Sequence, residues 1–302
     1  MKTYRFKLKP LAPWSTPWDA DTLFAALAWQ VLRSGGEVSL REFLAQFQGG
    51  APPFILSSAF PEGWLPCPLS VEIEDLPDSN VKRKRPTLIP EGQFRALITK
   101  PATIIPPATP PPESILSRSR LQAVIDRISG TTSGEGSLFE VDDWYLQESV
   151  SKHLTLFVKA QDGPDLFHNL LASLSRQGFG KKRSSGRGAF RLVSDPEPCD
   201  WMDSTDGANA FVSLSPFVPA EGDPAHGRWG LIVKYPKFSP EAPVANPFKG
   251  RLVMLRPGSV FRVSSQPVHP FYGQIIKSLR PEFPGSVHYA LAFPVPVCWP
   301  AG

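Results

Sequence analysis

The chain opens on an alternation. In TYRFKLKP (Thr3–Pro10) aromatic and apolar residues alternate with polar and cationic ones, the period of a strand with one buried face. The next segment, DADTLFAALAWQVLRSGG (Asp19–Gly36), changes period: Leu23, Leu27 and Val31, with Phe24 and Ala28, form one stripe of a helix. An aspartate in its first turn and two glycines at its end predict the boundaries, with Asp19 and Asp21 capping free amides and complementing the dipole. The same succession returns later. HLTLFVKA (His153–Ala160) alternates, DLFHNLLASLSRQG (Asp165–Gly178) has helical period with Gly178 as its C-cap, and GAFRLVS (Gly188–Ser194) is a strand. The order is strand, helix, irregular middle, strand, helix, glycine-rich loop, strand.

One further strand from the middle, LFEVDDWYL (Leu138–Leu146), completes a βαββαβ succession, the ferredoxin-like arrangement of a four-stranded antiparallel sheet backed by two helices. The expected class is therefore α+β, with a large insertion at about 51–140 in a first domain spanning 1–196. Proline sharpens the punctuation. The chain has 35, far above the usual one in roughly twenty. IIPPATPPPES (Ile104–Ser114) cannot be helix or central strand, because proline lacks the amide hydrogen and fixes φ. SDPEPCDW (Ser194–Trp201) and the polar run after it read as a linker. From 208 to 302 short β-like runs follow one another, among them AFVSLSPF, WGLIVKY, GRLVMLRPGSVFRV and YALAFPVPV. That is a second, strand-rich domain whose single helix candidate is GQIIKSL (Gly273–Leu279).

With 302 residues, 41% hydrophobic, the chain can bury a sizeable core. No run of 18 apolar residues occurs and the start MKTYRFKLKPLAPW lacks a secretory h-region, so a soluble, cytoplasmic protein is expected. Cys67, Cys199 and Cys298 are odd in number and far apart, which argues against a disulfide framework and against a zinc site. Neither a metal nor a cofactor is expected.

The net charge of +4 is mild, and its distribution says more. QGFGKKRSSGRGAF (Gln177–Phe190) holds Gly178, Gly180, Gly186 and Gly188, the cations Lys181, Lys182, Arg183 and Arg187, and two serines, Ser184 and Ser185, without one acid. Glycines let backbone amides approach a ligand closely while the cations neutralise phosphates. The loop is not GxxxxGK[ST], because the required glycine is missing and Arg183 stands where the hydroxyl should be. Nor is it GxGxxG opening a helix, because a helix precedes it and a strand follows. An extended phosphate chain such as single-stranded RNA fits better than a nucleotide. Lys82, Arg83, Lys84 and Arg85 form a second basic patch, followed by Phe94 and Ile98 as candidate wedges between bases; Phe179 and Arg251 complete the RNA-binding candidates.

The loop resembles the glycine-rich loop of the RAMP superfamily of CRISPR proteins. TPWDADTLFAALAW (Thr16–Trp29), APPFILSSAFPEGWLPCPL (Ala51–Leu69), IDRISGTTSGEGSLFEVDD (Ile125–Asp143) and HYALAFPVPV (His288–Val297) narrow the resemblance to the fourth-subunit family of type III-A effector (Csm) complexes. It spans nearly the whole chain. It implies a non-catalytic RNA-binding subunit of two ferredoxin-like (RRM/RAMP) domains, which caps the 5′ repeat-derived tag of crRNA. The implied neighbours are the large polymerase-like subunit, the adjacent RAMP backbone subunit and the guide–target duplex. A thumb hairpin is expected within Leu76–Leu116.

Two other function classes stay open. Ferredoxin-like ribonucleases that process crRNA precursors use histidine as general base, because imidazole titrates near neutral pH. Of His153, His168, His226, His269 and His288, only His226 and His269 fall in expected loops. The basic loop could instead meet an acidic protein surface, making the chain a scaffold. Trp14, Trp18, Phe271 and Tyr272 suit either stacking on bases or packing in the core.

Overall fold

The computed structural model describes residues 1–72, 85–100, 113–132, 138–238, 244–264 and 268–300. Strand β1 (Lys2–Pro10) leads to helix α1 (Ala20–Gln48). Short strands β2 (Phe54–Leu56), β3 (Phe60–Pro61), β4 (Trp64–Pro66) and β5 (Leu88–Pro90) follow, then helix α2 (Glu91–Thr99). The long pair β6 (Ile115–Ala123) and β7 (Leu138–Leu146) precedes β8 (Leu154–Ala160), helix α3 (Asp165–Ser175), β9 (Phe190–Leu192) and β10 (Glu197–Pro198). In the main sheet, β1 pairs with β8 on one side, from Lys2 opposite Ala160 to Leu8 opposite Leu154, and with β9 and β10 on the other. β2 and β3 pair with the far edge of β8, and every pairing is antiparallel.

Alternation explains why β1 sits centrally. Phe6 and Leu8 point to the face that α1 and α3 cover, where the Phe6 ring meets Phe167 edge-on at 4.9 Å and Phe167 meets Phe54 at 5.4 Å. Burying each such ring stabilises the fold by about 1.5–3 kcal/mol. The first helical run ends at Gly36, whose φ of 75° only glycine adopts readily, and a second run turns Phe43 and Phe47 back onto Phe24.

Several expectations change. Leu138–Leu146 is a strand, but it pairs with Ile115–Ala123 in a separate exposed hairpin, and Phe54–Leu56 takes its expected place beside β8. The physical reason is burial: β2 is apolar throughout, whereas Glu140, Asp142 and Asp143 suit β7 poorly to a sheet buried by helices. About half of the expected thumb segment lies outside the described residues, its described part holds β5 and α2, and the long hairpin that is described pairs Ile115–Ala123 with Leu138–Leu146. The linker is not free, because Glu197 and Pro198 pair with Arg5 and Tyr4 and the Cys199 amide donates to the Thr3 carbonyl at 2.9 Å.

The second half holds β11 (Ala210–Ser213), β12 (Gly227–Arg228), β13 (Leu231–Lys234), β14 (Leu252–Leu255), β15 (Val260–Arg262), β16 (Tyr272–Lys277), β17 (Val287–Ala292) and β18 (Pro294–Val297). One sheet runs β12–β15–β11–β18; β13–β14 and β16–β17 are two-stranded. GQIIKSL is therefore largely strand, since cross-strand partners on β17 and the stacking of Tyr272 on Phe211 at 4.2 Å outweigh a short helical propensity. The halves share a core. Tyr289, Leu291, Phe293 and Val295 join the cluster of Phe24 and Leu56, the Tyr289 ring stacks on Phe24 at 4.8 Å, and the Leu56 amide donates to the Tyr289 hydroxyl. Among the described residues no helix is long and apolar enough to cross a membrane, and the three cysteines are unpaired.

Candidate nucleic-acid interface

The glycine-rich loop is held at both ends and open between. Phe179 is buried, stacked on Trp18 at 4.2 Å, while Phe190 meets Trp18 edge-on at 5.0 Å. The Phe179 amide donates to the Gly188 carbonyl and the Gly188 amide to the Pro13 carbonyl, closing the loop against the chain that follows β1. Here glycine is obligatory: a Cβ on Gly188, at φ 68°, would lie 1.8 Å from the Phe179 carbonyl oxygen, and one on Gly180, at φ 84°, 2.6 Å from Thr16. That close approach lets the Lys181 amide donate to Thr16 Oγ1 at 3.0 Å. Lys182 itself is left-handed, with φ 60°, and starts a single 3-10 turn over Arg183–Ser185.

Arg187 is not a surface cation. Its guanidinium is buried and grips Asp143 of β7 in a bidentate fork, Nε to Oδ1 at 2.6 Å and Nη2 to Oδ2 at 3.0 Å. Ser15 donates to the same carboxylate at 2.7 Å, and Arg120 reaches it from β6. Backbone hydrogen bonds between Trp14 and Trp144 in both directions fasten the hairpin to the loop base. Lys182 reaches the hairpin as well, bonding Gln122 and lying over the Phe139 ring. Of the predicted loop residues, Phe179 and Arg187 thus anchor the loop from inside, whereas Lys181, Ser184, Ser185 and Gly186 are exposed.

Lys181, Lys182, Arg183 and Ser184 form one wall of a cleft of about 1210 Å³. α1 supplies its floor, and the opposite wall comes from the second half: Lys234, Tyr235, Lys237, Phe238, Lys249 and His288. Five lysines converge there. Burial, and then the nearby Lys237 charge, pull the Lys181 ammonium below its ordinary value. This second wall was not anticipated from sequence, yet a signal existed: between Asp223 and Glu282 a single carboxylate, Glu241, faces nine cations.

Other predicted residues lie elsewhere. Lys82, Arg83 and Lys84 fall outside the described residues, Arg85 donates to the Pro68 carbonyl at 3.1 Å, and Arg251 is exposed just before β14; neither Arg85 nor Arg251 lines the cleft. Phe94 and Ile98 are buried within α2, so they are core residues and not wedges. Trp14, Trp18 and Tyr272 are likewise buried. Asp19 and Asp21 make no side-chain cap; both accept from Lys234, which reaches across from β13. An ion pair in a partly buried site outcompetes a cap, and the Ala20 amide is met by Ser58 Oγ instead.

His226 and His269 do not line the cleft, while His288 does. Burial first, then Lys249 and Lys234, lower its pKa to about 3, and Asp21 at 3.4 Å lacks hydrogen-bond geometry toward it. A group whose folded pKa of about 3 lies below its ordinary 6.5 binds its proton more readily in the unfolded chain. Stability is therefore expected to fall as pH drops from 6.5 toward 3, by up to about 1.4 kcal/mol per unit for this group. Urea melts of wild type and His288→Asn across that range check this: the variant's profile is flatter, and identical slopes would remove His288 from the balance. Among the described residues no group of three or more His, Cys, Asp or Glu side chains could hold a metal ion.

No protein-family model matches the chain. It is 28% identical over 283 residues to "CRISPR system Cms protein Csm4" of Streptococcus thermophilus, covering 89% of this chain and 86% of that protein. Its fold is similar to a Csm1–Csm4 cassette crystallised with AMPPNP, at TM-score 0.61 and 19% identity, covering 99% of this chain and all of the other. A Csm3–Csm4 subcomplex of the type III-A interference complex gives TM-score 0.58 and 13% identity at the same coverage. The chain shares the fold of the solved Csm4-containing structures. In sequence it is similar to a Csm4 protein over most of its length.

Proposed function

We propose that this chain is a non-catalytic subunit of a type III-A interference complex, holding the 5′ repeat-derived tag of crRNA and bridging the large subunit to the backbone. The observation that carries the reading is the cleft in which Lys181, Lys182, Lys237 and Lys249 converge on the glycine-rich loop. A cleft in which burial, and then the Lys237 charge, pull the Lys181 ammonium below its ordinary value suits a phosphate chain as occupant. In this reading 1–196 is a ferredoxin-like unit, supported by the order β9–β1–β8–β2 with helices after β1 and β8. For the unit 208–302 the ferredoxin-like reading rests on the resemblance. The hairpin β6–β7 takes the part of the thumb, toward the guide–target duplex.

A ribonuclease reading is less well supported. The candidate bases His226 and His269 lie off the cleft, and His288 within it, with a pKa near 3, is a weak base at neutral pH. Asp19 and Asp21 are engaged by Lys234.

Fluorescence anisotropy with tag RNA, without metal, compares wild type with Lys181→Ala/Lys182→Ala/Lys237→Ala over a salt series. The expected result is intact RNA, weaker binding by the variant, and a log–log salt slope shallower by about 2, from roughly 0.7 per lost phosphate contact. Equal binding defeats the reading, and shortened RNA hands it to the ribonuclease.

A further inference from the structure

The hairpin β13–β14 turns one face inward and leaves the other uncovered. Inward, Ile232 packs with Leu252, Met254 and Ala290. Outward, Trp229, Leu231, Val233 and Tyr235 alternate along β13 at 52%, 58%, 50% and 62% exposure, and Val253 stands opposite Val233 on β14. Alternation of this kind normally sets polar residues toward water. Five large apolar side chains on one small face, beside a free edge, are the mark of a binding surface. Among the described residues no strand pairs with the outer edge of β13, since its ladder runs to β14 and the far side of β14 meets Phe217.

Charge sets the partner. Arg228, Lys237, Arg251 and Arg256 flank the two strands, Arg228 at 3.9 Å from Glu72, and no residue from 227 to 238 is a carboxylate. The centre is aliphatic: Leu231 and Val233 offer no stacking plane to a base, whereas they fit apolar protein side chains. We propose that this face docks one extended segment of a neighbouring protein subunit, apolar at alternate positions and acidic at its ends, which adds as a strand to the edge of β13. That the neighbour is a subunit of the same effector complex rests on the function proposed above. Main-chain hydrogen bonds supply the attachment, Leu231 and Val233 the apolar contact, and the arginines the acidic match. Val233 and Tyr235 belong to both this face and the cleft wall, so a docked segment closes the cleft on one side.

The test uses the whole chain with the large subunit and the backbone subunit of its own complex, each purified. Leu231→Asp/Val253→Asp is compared with wild type for binding to each subunit by calorimetry, for binding to tag RNA, and for thermal melting. Leu231 is 58% and Val253 46% exposed, and neither lines the cleft, so melting is expected to stay within a few degrees. The expected result is a loss of about 100-fold in affinity for one protein subunit with RNA affinity unchanged. Arg251→Glu/Arg256→Glu should weaken the same complex and make its affinity less sensitive to salt. Unchanged affinity for both subunits overturns the docking face while leaving the complex assignment intact. Loss of RNA binding alone overturns it in favour of a nucleic-acid surface. A wild-type chain that binds neither subunit overturns both the face and the assignment.

Discussion

Replacing Asp143 by alanine is expected to lower the unfolding free energy by about 3–5 kcal/mol, because it strands the buried guanidinium of Arg187 without its partner. The cost is the desolvated, uncompensated charge, more than the attraction lost between the two. Arg187→Met/Asp143→Leu removes both charges together and should recover most of the loss. Asp143→Ala also cuts the fastening of the glycine loop to the hairpin, since Ser15 and Arg120 bond the same carboxylate. Urea denaturation gives the stability, and hydrogen exchange over residues 178–188 gives the local effect. A change below about 1 kcal/mol would mean that Arg187 finds solvent when released, and that the fork is not what holds the loop.

This clasp shows why some of the site was legible in the sequence and some was not. Local signals worked. The alternation in Thr3–Pro10 and His153–Ala160 marked two strands, although the second is buried along its whole length, and the four glycines marked a loop whose backbone must turn left-handed. The fate of individual cations was not local. Arg187 sits in the basic run like Lys181, and what separates them is a carboxylate more than forty residues away, placed by a hairpin that no periodicity connects to the loop. Leu138–Leu146 was correctly a strand and wrongly assigned to the main sheet, because register between distant strands depends on which faces are buried, and the three carboxylates of that segment are poor company for two helices. Phe54–Leu56 is too short to show any period. The opposite wall of the cleft escaped for a related reason: Lys234, Lys237 and Lys249 are spaced as ordinary surface lysines, and only the packing of β17 on α1 brings them to face the loop.

Lys234→Met should destabilise the protein by about 3–5 kcal/mol, since it removes the ammonium that pairs directly with Asp21, almost wholly buried, and with Asp19 beside it. Burial alone would push the Lys234 ammonium down, but Asp21 and then Asp19 hold it above its ordinary 10.5. A folded pKa raised above the unfolded one contributes stability that is complete below 10.5 and is lost as pH rises through the folded value. The gap between wild type and variant should therefore stay constant through neutral pH and narrow only in strong alkali. RNA binding separates this residue from its neighbours. Two carboxylates already match the Lys234 charge, so it offers little field to a phosphate, and its loss should leave the salt slope of tag binding unchanged at temperatures where the variant is folded. Lys181 and Lys237, whose charges repel one another across the cleft, should do the reverse and lower the slope with little cost in stability. A Lys234→Met protein that melts like wild type yet loses salt-dependent affinity would exchange these roles, making Lys234 a phosphate ligand and the two aspartates its means of placement.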